Sequence, residues 1–190
     1  MGRGKHEVQA ALEIRAEPYD GPAGTRLVAD LTADLTVRYA DEDEAPDCAL
    51  SPEALAARRE GVAAEEAAYL AELEPDDVAP PTGTFVVAHL DGAPVGCAAL
   101  RRHEAGVAEV KRVWVDPGAR GRGIARTLMA HIEAAALELG YGRIVLETGL
   151  RQPEAIGLYE SLGYRRRAVY GRYADSPLSV CLERDLGGPP

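Results

Sequence analysis

Polar and apolar residues alternate through Leu12-Glu13-Ile14-Arg15-Ala16, the period of a strand with one face in a core and the other in water. From about Thr25 to Tyr39 the period changes, and Leu27, Leu31 and Leu35 recur every fourth residue on one face of a helix, with Val28 beside them. An acidic, Pro-containing stretch from Ala40 to Ser51 reads as a loop. Ser51 is then placed as an N-cap with Pro52 at the first helical position, opening an Ala- and Glu-rich helix that runs to about Leu73. Its few large apolar groups, Leu55, Val62, Tyr69, Leu70 and Leu73, suit a weakly packed cover over a substrate site or a partner surface. Beyond Thr84 the period is that of strands: Phe85 to Ala88, the hairpin signal Asp91-Gly92, then Val95 to Leu100. A further turn near Glu104 to Gly106 leads into Ala108 to Val115. Ile124, Leu128, Ile132 and Leu139 mark a helix that stops at Gly140. A strand at Ile144 to Glu147, a helix at Pro153 to Leu162 and strands at Tyr164 to Tyr170 and Leu178 to Glu183 complete the chain. This order predicts an α/β protein of the mixed α+β type. Its sheet is mixed and mostly antiparallel, of about six or seven strands, flanked by about four helices.

With 190 residues, 46% of them hydrophobic, the chain is expected to form one domain over residues 8–186, between a disordered leader (1–7) and a short tail (187–190). Cys48, Cys97 and Cys181 are widely spaced, with no CxxC and no nearby histidine cluster, so neither a disulfide framework nor a zinc site is indicated and no metal is expected. His6, His89, His103 and His131 are scattered, and His103 reads as a surface hairpin residue. No apolar run reaches the roughly 20 residues of a membrane span. The N-terminus lacks a signal-peptide core, and Met1-Gly2 lacks the downstream hydroxyl of a myristoylation signal, so a soluble cytoplasmic protein is expected.

The net charge of −10 is unevenly spread: 7 basic and 20 acidic residues lie up to position 95, and 14 basic and 11 acidic residues after it. The acidic half, with Asp41, Glu42, Asp43, Glu44 and Asp47, would either steer a cationic substrate or simply keep the protein soluble. Arginine runs at 101–102 and 165–167 suggest nucleic acid, but a pI near 4.9 and the lack of interleaved aromatics argue against it.

Chemistry concentrates in VWVDPGARGRGIA, residues 113–125, where a strand breaks at Asp116-Pro117 into a glycine-spaced basic turn that opens a helix. Glycines let the backbone approach an anion, and the first helical turn leaves N–H groups without partners at the positive end of the helix dipole. Arg120, Arg122 and Arg126 add charge around those donors. A Walker loop would need Lys followed by Ser or Thr, and neither is present. A dinucleotide fingerprint starting at Gly121 and Gly123 would put Arg126 in place of its third glycine.

Arg120, Gly123 and Ala125 do match Arg-x-x-Gly-x-Ala between a strand and an amphipathic helix, which resembles the coenzyme A loop of the GNAT N-acetyltransferase superfamily. LETGLRQPEAIGLYESLGY, residues 146–164, resembles a second segment of the same superfamily, in the right order and at the right spacing. The resemblance covers roughly residues 83–185, and residues 18–82 match only in outline, as a variable, substrate-side helical region.

The resemblance implies an N-acetyltransferase that moves an acetyl group from acetyl coenzyme A (acetyl-CoA), its co-substrate, to a primary amine in a ternary complex. The acceptor, a small molecule or a peptide, is left open, and homodimers are common among relatives. A sensor or interaction module that binds acetyl-CoA without turnover is the alternative. The backbone of Val113, Trp114 and Val115 would pair with the pantetheine arm, and the loop Arg120, Gly121, Arg122, Gly123, Ile124, Ala125 and Arg126 would hold the pyrophosphate. Tyr159 would protonate the leaving sulfur, and Glu109 would draw the amine's proton through a water or else merely pair with Lys111 or Arg112. Gln152 stands where relatives often carry Asn, so its coenzyme contact is an open expectation. The family also requires a bulge in the strand before the loop.

Overall fold

The structure is a computed structural model, and it describes residues 11–40, 68, 72–171 and 176–187. Strand β1 (Leu12–Ala16) lies at one edge and is followed by helix α1 (Pro22–Ala40). After a short 3₁₀ turn at Pro75–Val78 come β2 (Thr84–Leu90), β3 (Ala93–Glu104) and β4 (Val107–Val115). A second 3₁₀ turn at Pro117–Ala119 leads to helix α2 (Ile124–Glu138), then β5 (Arg143–Gly149) and helix α3 (Pro153–Ser161). The chain ends with the two-residue β6 (Arg165–Arg166) and β7 (Ser179–Asp185). The helix expected at 51–73 and the acidic residues 41–47 lie outside the described residues, except for Ala68, Glu72 and Leu73. The strand expected over Tyr164 to Tyr170 shrinks to two residues, Arg165 and Arg166, paired with β7, and Arg167 adds one backbone hydrogen bond to the Cys181 carbonyl at 3.0 Å.

The seven strands form one sheet in the order β1-β2-β3-β4-β5-β7-β6, antiparallel everywhere except at the parallel β4–β5 pair. Strand alternation sorts the apolar residues onto two faces. Val86, Ala88, Ala98, Leu100, Val110 and Leu146 point toward Leu128, Met129 and Ile132 of α2 and Tyr159 of α3. Phe85, Val87, Cys97, Ala99 and Trp114 face Leu27, Val28 and Leu31 of α1. Cys97 and Cys181 are both free and buried, as small core residues are. Among the described residues no helix is long and apolar enough to cross a membrane, and no group of His, Cys, Asp and Glu is arranged to hold a metal ion.

Two irregularities of β4 shape the molecule. Its pairing with β3 passes from Cys97↔Trp114 to Ala99↔Lys111, which places one extra residue on β4, and Arg112 takes a positive φ of 57° there. This is a β-bulge at the place the family pattern requires one. On the other edge of β4, the parallel register with β5 runs from Val107↔Arg143 to Val110↔Leu146 and stops. Beyond it the two strands part, leaving the β4 backbone from Lys111 to Val115 facing a gap.

Candidate active site

The gap widens into a cleft of about 320 Å³ between the end of β4, the start of α2, one face of α3 and one face of α1. Its floor is Val113, Trp114 and Val115. Its mouth is the turn that follows β4. Asp116 accepts a hydrogen bond from the Gly118 N–H at 2.8 Å and so starts that turn, and Pro117 sits at its first position. Gly121 and Gly123 then take φ of 78° and 77°, a left-handed conformation that costs other residues roughly 1–2 kcal/mol each. A Cβ at either glycine would meet nothing within 4 Å, so these backbones lie open to an approaching ligand.

Gly123 is the N-cap of α2 and offers no side chain, and the first turn of that helix holds no acidic residue. The first helical bond is from the Thr127 N–H to the Gly123 carbonyl, 3.0 Å, which leaves the N–H groups of Ile124, Ala125 and Arg126 without an acceptor from within the helix. Donors at the positive end of a helix dipole make an anion site, and Gly121, Gly123, Ile124, Ala125 and Arg126 all line the cleft. Arg126 reaches Ser161 of α3, donating to its Oγ at 2.8 Å, and so ties the two walls together at the rim. Arg122 is exposed and does not line the cleft.

Arg120 is more committed than its place in the motif suggests. Its Nε donates to the Val115 carbonyl at 2.9 Å, and its Nη2 donates to Asp34 of α1 at 2.7 Å. Asp34 also accepts from Trp114 Nε1 at 3.2 Å and pairs with Arg38, one turn further along α1, at 3.4 Å. Arg38 in turn meets Glu154 at the start of α3 at 2.5 Å. Partial burial opposes ionisation of Asp34, but the donors from Arg120 and Trp114 and the charge of Arg38 outweigh it and hold its carboxyl below the usual range. Asp34 is therefore the pin that fastens α1 to the β4 loop, and Arg120 acts first as its partner.

At its inner end the cleft continues into a polar crevice of about 50 Å³ at the point where β4 and β5 part. Val113, Gln152 and Tyr159 line both spaces. Tyr159 is 5% exposed, and its ring meets that of Tyr164 edge to face with 5.8 Å between centroids. Packing at its base thus fixes the direction of the phenol. Gln152 is the N-cap of α3, and its backbone carbonyl accepts from the N–H groups of Ala155 and Ile156.

Glu109 lines neither space. It is 1% exposed and sits opposite Arg101 in the β3–β4 register, with Arg101 Nη2 at 2.7 Å and Lys111 Nζ at 3.5 Å. The Tyr170 hydroxyl donates to Glu109 Oε1, the oxygen nearer Lys111, at 3.0 Å. Glu72 closes this network from the other side, 3.2 Å from both Arg101 and Lys111. His103 is exposed and lies edge-on against Tyr170 at 5.0 Å, so the cluster anchors the segment after α3 over the sheet.

The residues singled out in the two motifs thus converge on one cleft, apart from Arg122 and Glu109. Sequence reasoning missed the α1 wall, Leu31, Asp34, Leu35 and Arg38, and the β5 residues Glu147 and Thr148 in the crevice. The available signal was the pair Asp34 and Arg38, four residues apart beside a leucine stripe that looked merely structural.

Residues 48–164 match the model of the acetyltransferase (GNAT) family. An IAA acetyltransferase of Azospirillum brasilense is 39% identical over 128 residues, which are 62% of this chain and 84% of that protein. An N-acetylaspartate synthetase of Rattus norvegicus is 36% identical over 118 residues, again 62% of this chain but only 40% of the longer relative. A crystal structure from Klebsiella pneumoniae, described as an acyl-CoA N-acyltransferase, superposes with a TM-score of 0.66 at 27% identity, covering 92% of this chain and 97% of the other.

Proposed function

The chain belongs to the GNAT acetyltransferase family, acyltransferases that use acetyl-CoA as donor, and we propose that it passes the acetyl group directly to a primary amine at the inner end of the cleft. One observation carries this reading: the parting of β4 and β5 leads from the uncapped start of α2 at one end to Tyr159 at the other. An extended pantetheine arm would pair with the exposed edge of Val113 to Val115 as an added strand. Its pyrophosphate would rest on the N–H groups of Ile124, Ala125 and Arg126. The bulge at Arg112 turns the β4 backbone, and an N–H of Val113 to Val115 beyond it would meet the oxyanion of the tetrahedral intermediate.

Tyr159 supports the release step. An ordinary phenol has a pKa near ~10 and a thiol near ~8.5, so at neutral pH the phenol carries the proton that the leaving thiolate needs. Neither Cys97 nor Cys181 lines the cleft, which supports transfer within a ternary complex over an acyl-cysteine route through either of them. The acceptor would enter between α1 and the segment that follows α3. The buried free thiols also suit a reducing, cytoplasmic setting.

Calorimetric titration with acetyl-CoA, beside thiol release measured across a panel of small amines, amino acids and polyamines, tests the proposal. Binding together with acetylation of at least one amine is expected. Binding without acetylation of any would leave a coenzyme-binding sensor in its place.

A further inference from the structure

We propose that Leu35 of α1 sets the length of acyl group this chain can transfer, acting with Leu31 as a stop that admits acetyl and turns away propionyl and longer groups. The inference rests on the acetyl-transfer reading above and assigns a specificity-determining residue within it. Of the described residues, Leu31, Leu35, Val113, Gln152 and Tyr159 line both the cleft and the crevice, so they form the neck between the two spaces. A coenzyme arm laid along Val113 to Val115 brings its thioester to this neck, since Tyr159 stands there. Three members of the neck are committed: Val113 to the edge of β4, Tyr159 to the leaving sulfur and Gln152 to the cap of α3. The remaining side is a leucine face of α1, two side chains one helical turn apart. Leu31 is 4% exposed and belongs to the core beneath α1, whereas Leu35 is half-buried at the rim of that core.

The leucine face is held in place. Asp34, next to Leu35, accepts from Trp114 at 3.2 Å and from Arg120 at 2.7 Å, and Arg38 pairs both with Asp34 and with Glu154 of α3. An acyl group that needs more room therefore meets a wall tied to β4, to the loop after it and to α3.

Volume sets the limit. The crevice beyond the neck holds about 50 Å³. An attacking amine nitrogen is about the size of a water, whose share of liquid volume is roughly 30 Å³, so about 20 Å³ is left for the end of the acyl group. That is room for a methyl group, and a further methylene has to displace either the amine or a leucine. Pushing deeper brings no relief, because Lys111, Arg112 and Glu147 also line the crevice, and an apolar chain end pressed against charged groups strips their solvation. Thr148 Oγ1, buried in the same place without a hydrogen-bond partner, suits a water there and not a methylene. A longer acyl chain is thus best housed on the apolar α1 side, and Leu35 fills that side.

The test compares acetyl-, propionyl- and butyryl-CoA as donors to the panel amine of highest turnover, read as kcat/KM. One methylene too many in an apolar site costs roughly 10- to 200-fold, so the wild type should favour acetyl over propionyl by about 10-fold or more. Leu35→Ala should bring propionyl and butyryl to within about threefold of acetyl, and Leu35→Val, which removes a single methylene, should admit propionyl but not butyryl. Both variants should leave the Kd of free coenzyme A, which carries no acyl group, unchanged. Leu158→Ala is the control: Leu158 is also half-buried but lines the cleft without the crevice, so the same truncation there should keep the acetyl preference. Equal use of acetyl and propionyl by the wild type, an unchanged preference in Leu35→Ala, or an equal relaxation in Leu158→Ala overturns the assignment while acetylation itself continues. If Leu35→Ala fails to bind coenzyme A, Leu35→Val decides, and no gain of propionyl on acetyl in that variant counts against Leu35. A wild-type chain that binds acetyl-CoA but acetylates no panel amine overturns the proposed function itself, and the role of Leu35 with it.

Discussion

Gly123 and Gly140 offer a matched pair of perturbations. Both hold left-handed backbone, with φ of 77° and 85°, and a Cβ at either would meet nothing within 4 Å. Replacing either by Ala therefore brings no clash, only the conformational cost of a left-handed L-residue, roughly 1–2 kcal/mol. For a chain of this size that cost lowers Tm by about 2–4 °C per kcal/mol, so each variant should melt about 2–8 °C below the wild type. The two differ in place: Gly123 caps α2 at the mouth of the cleft, and Gly140 lies past the far end of the same helix. A methyl group at Gly123 stands where a phosphate would approach the first N–H groups. Hydrogen bonds to a charged group are worth about 1.5–3 kcal/mol net, so losing one raises the acetyl-CoA Kd roughly 10- to 100-fold. Gly140→Ala should change that Kd less than about twofold. Calorimetry reads the Kd directly, and melting with ligand gives a second measure. Acetyl-CoA at 100 times the wild-type Kd stabilises the wild type by about 2.7 kcal/mol, and a tenfold weaker variant by only about 1.4 kcal/mol. If Gly123→Ala binds acetyl-CoA as well as Gly140→Ala does, the uncapped start of α2 is not where the coenzyme's phosphates sit.

Tyr159→Phe keeps the ring against Tyr164 and removes only the hydroxyl, so kcat should fall about 10²- to 10⁴-fold with the acetyl-CoA Kd little changed; a loss under about threefold would reduce Tyr159 to a packing residue. Asp34 has a depressed folded pKa, so its contribution to stability is complete above the ordinary carboxylate range and is lost as pH falls through the folded value. Asp34→Asn should accordingly lower Tm at pH 7 and flatten the acid limb of a Tm-versus-pH curve, and an unchanged limb would dismiss the Arg120–Asp34–Arg38 pin. Glu109→Gln leaves Arg101 and Lys111 short of a buried partner and should cost about 3 kcal/mol or more, a Tm drop on the order of 10 °C, while the form of the pH-rate profile stays as in the wild type. Burial pushes the Cys97 thiol up to about 12 and also raises that of Cys181, so neither should react with an aromatic disulfide reagent at pH 8 until the chain is unfolded; mass mapping of the labelled peptides checks this.

Local patterns were legible where each element has its own period and punctuation. Asp91-Gly92 sets the β2–β3 hairpin, Gly140 ends α2, and alternation along β2 and β3 divides the two cores. The loop at 116–126 was legible because glycine spacing and a helix start are local properties. The bulge at Arg112 was not, since it exists only in the register of β4 against β3. Asp34 escaped notice for a similar reason: its partners, Trp114 and Arg120, are about eighty residues away in sequence. Glu109 matched a motif position, but its cross-strand partner Arg101, set by the register of β3, draws it away from the cleft. Glu147 reads as an ordinary strand residue until the end of the β4–β5 register shows that it stands at an opening.

If the acetyl group passes directly from acetyl-CoA to an amine at the parting of β4 and β5, no acyl-enzyme forms. A single-turnover experiment tests it most directly: enzyme in excess over acetyl-CoA carrying an isotopically labelled acetyl group, mixed with the best panel amine, quenched at intervals and read by mass spectrometry. The label is expected to move to the amine nitrogen in step with the appearance of free thiol, one for one, with no labelled protein at any time. Label on the protein before it reaches the amine, or thiol released without N-acetylated product, would contradict it.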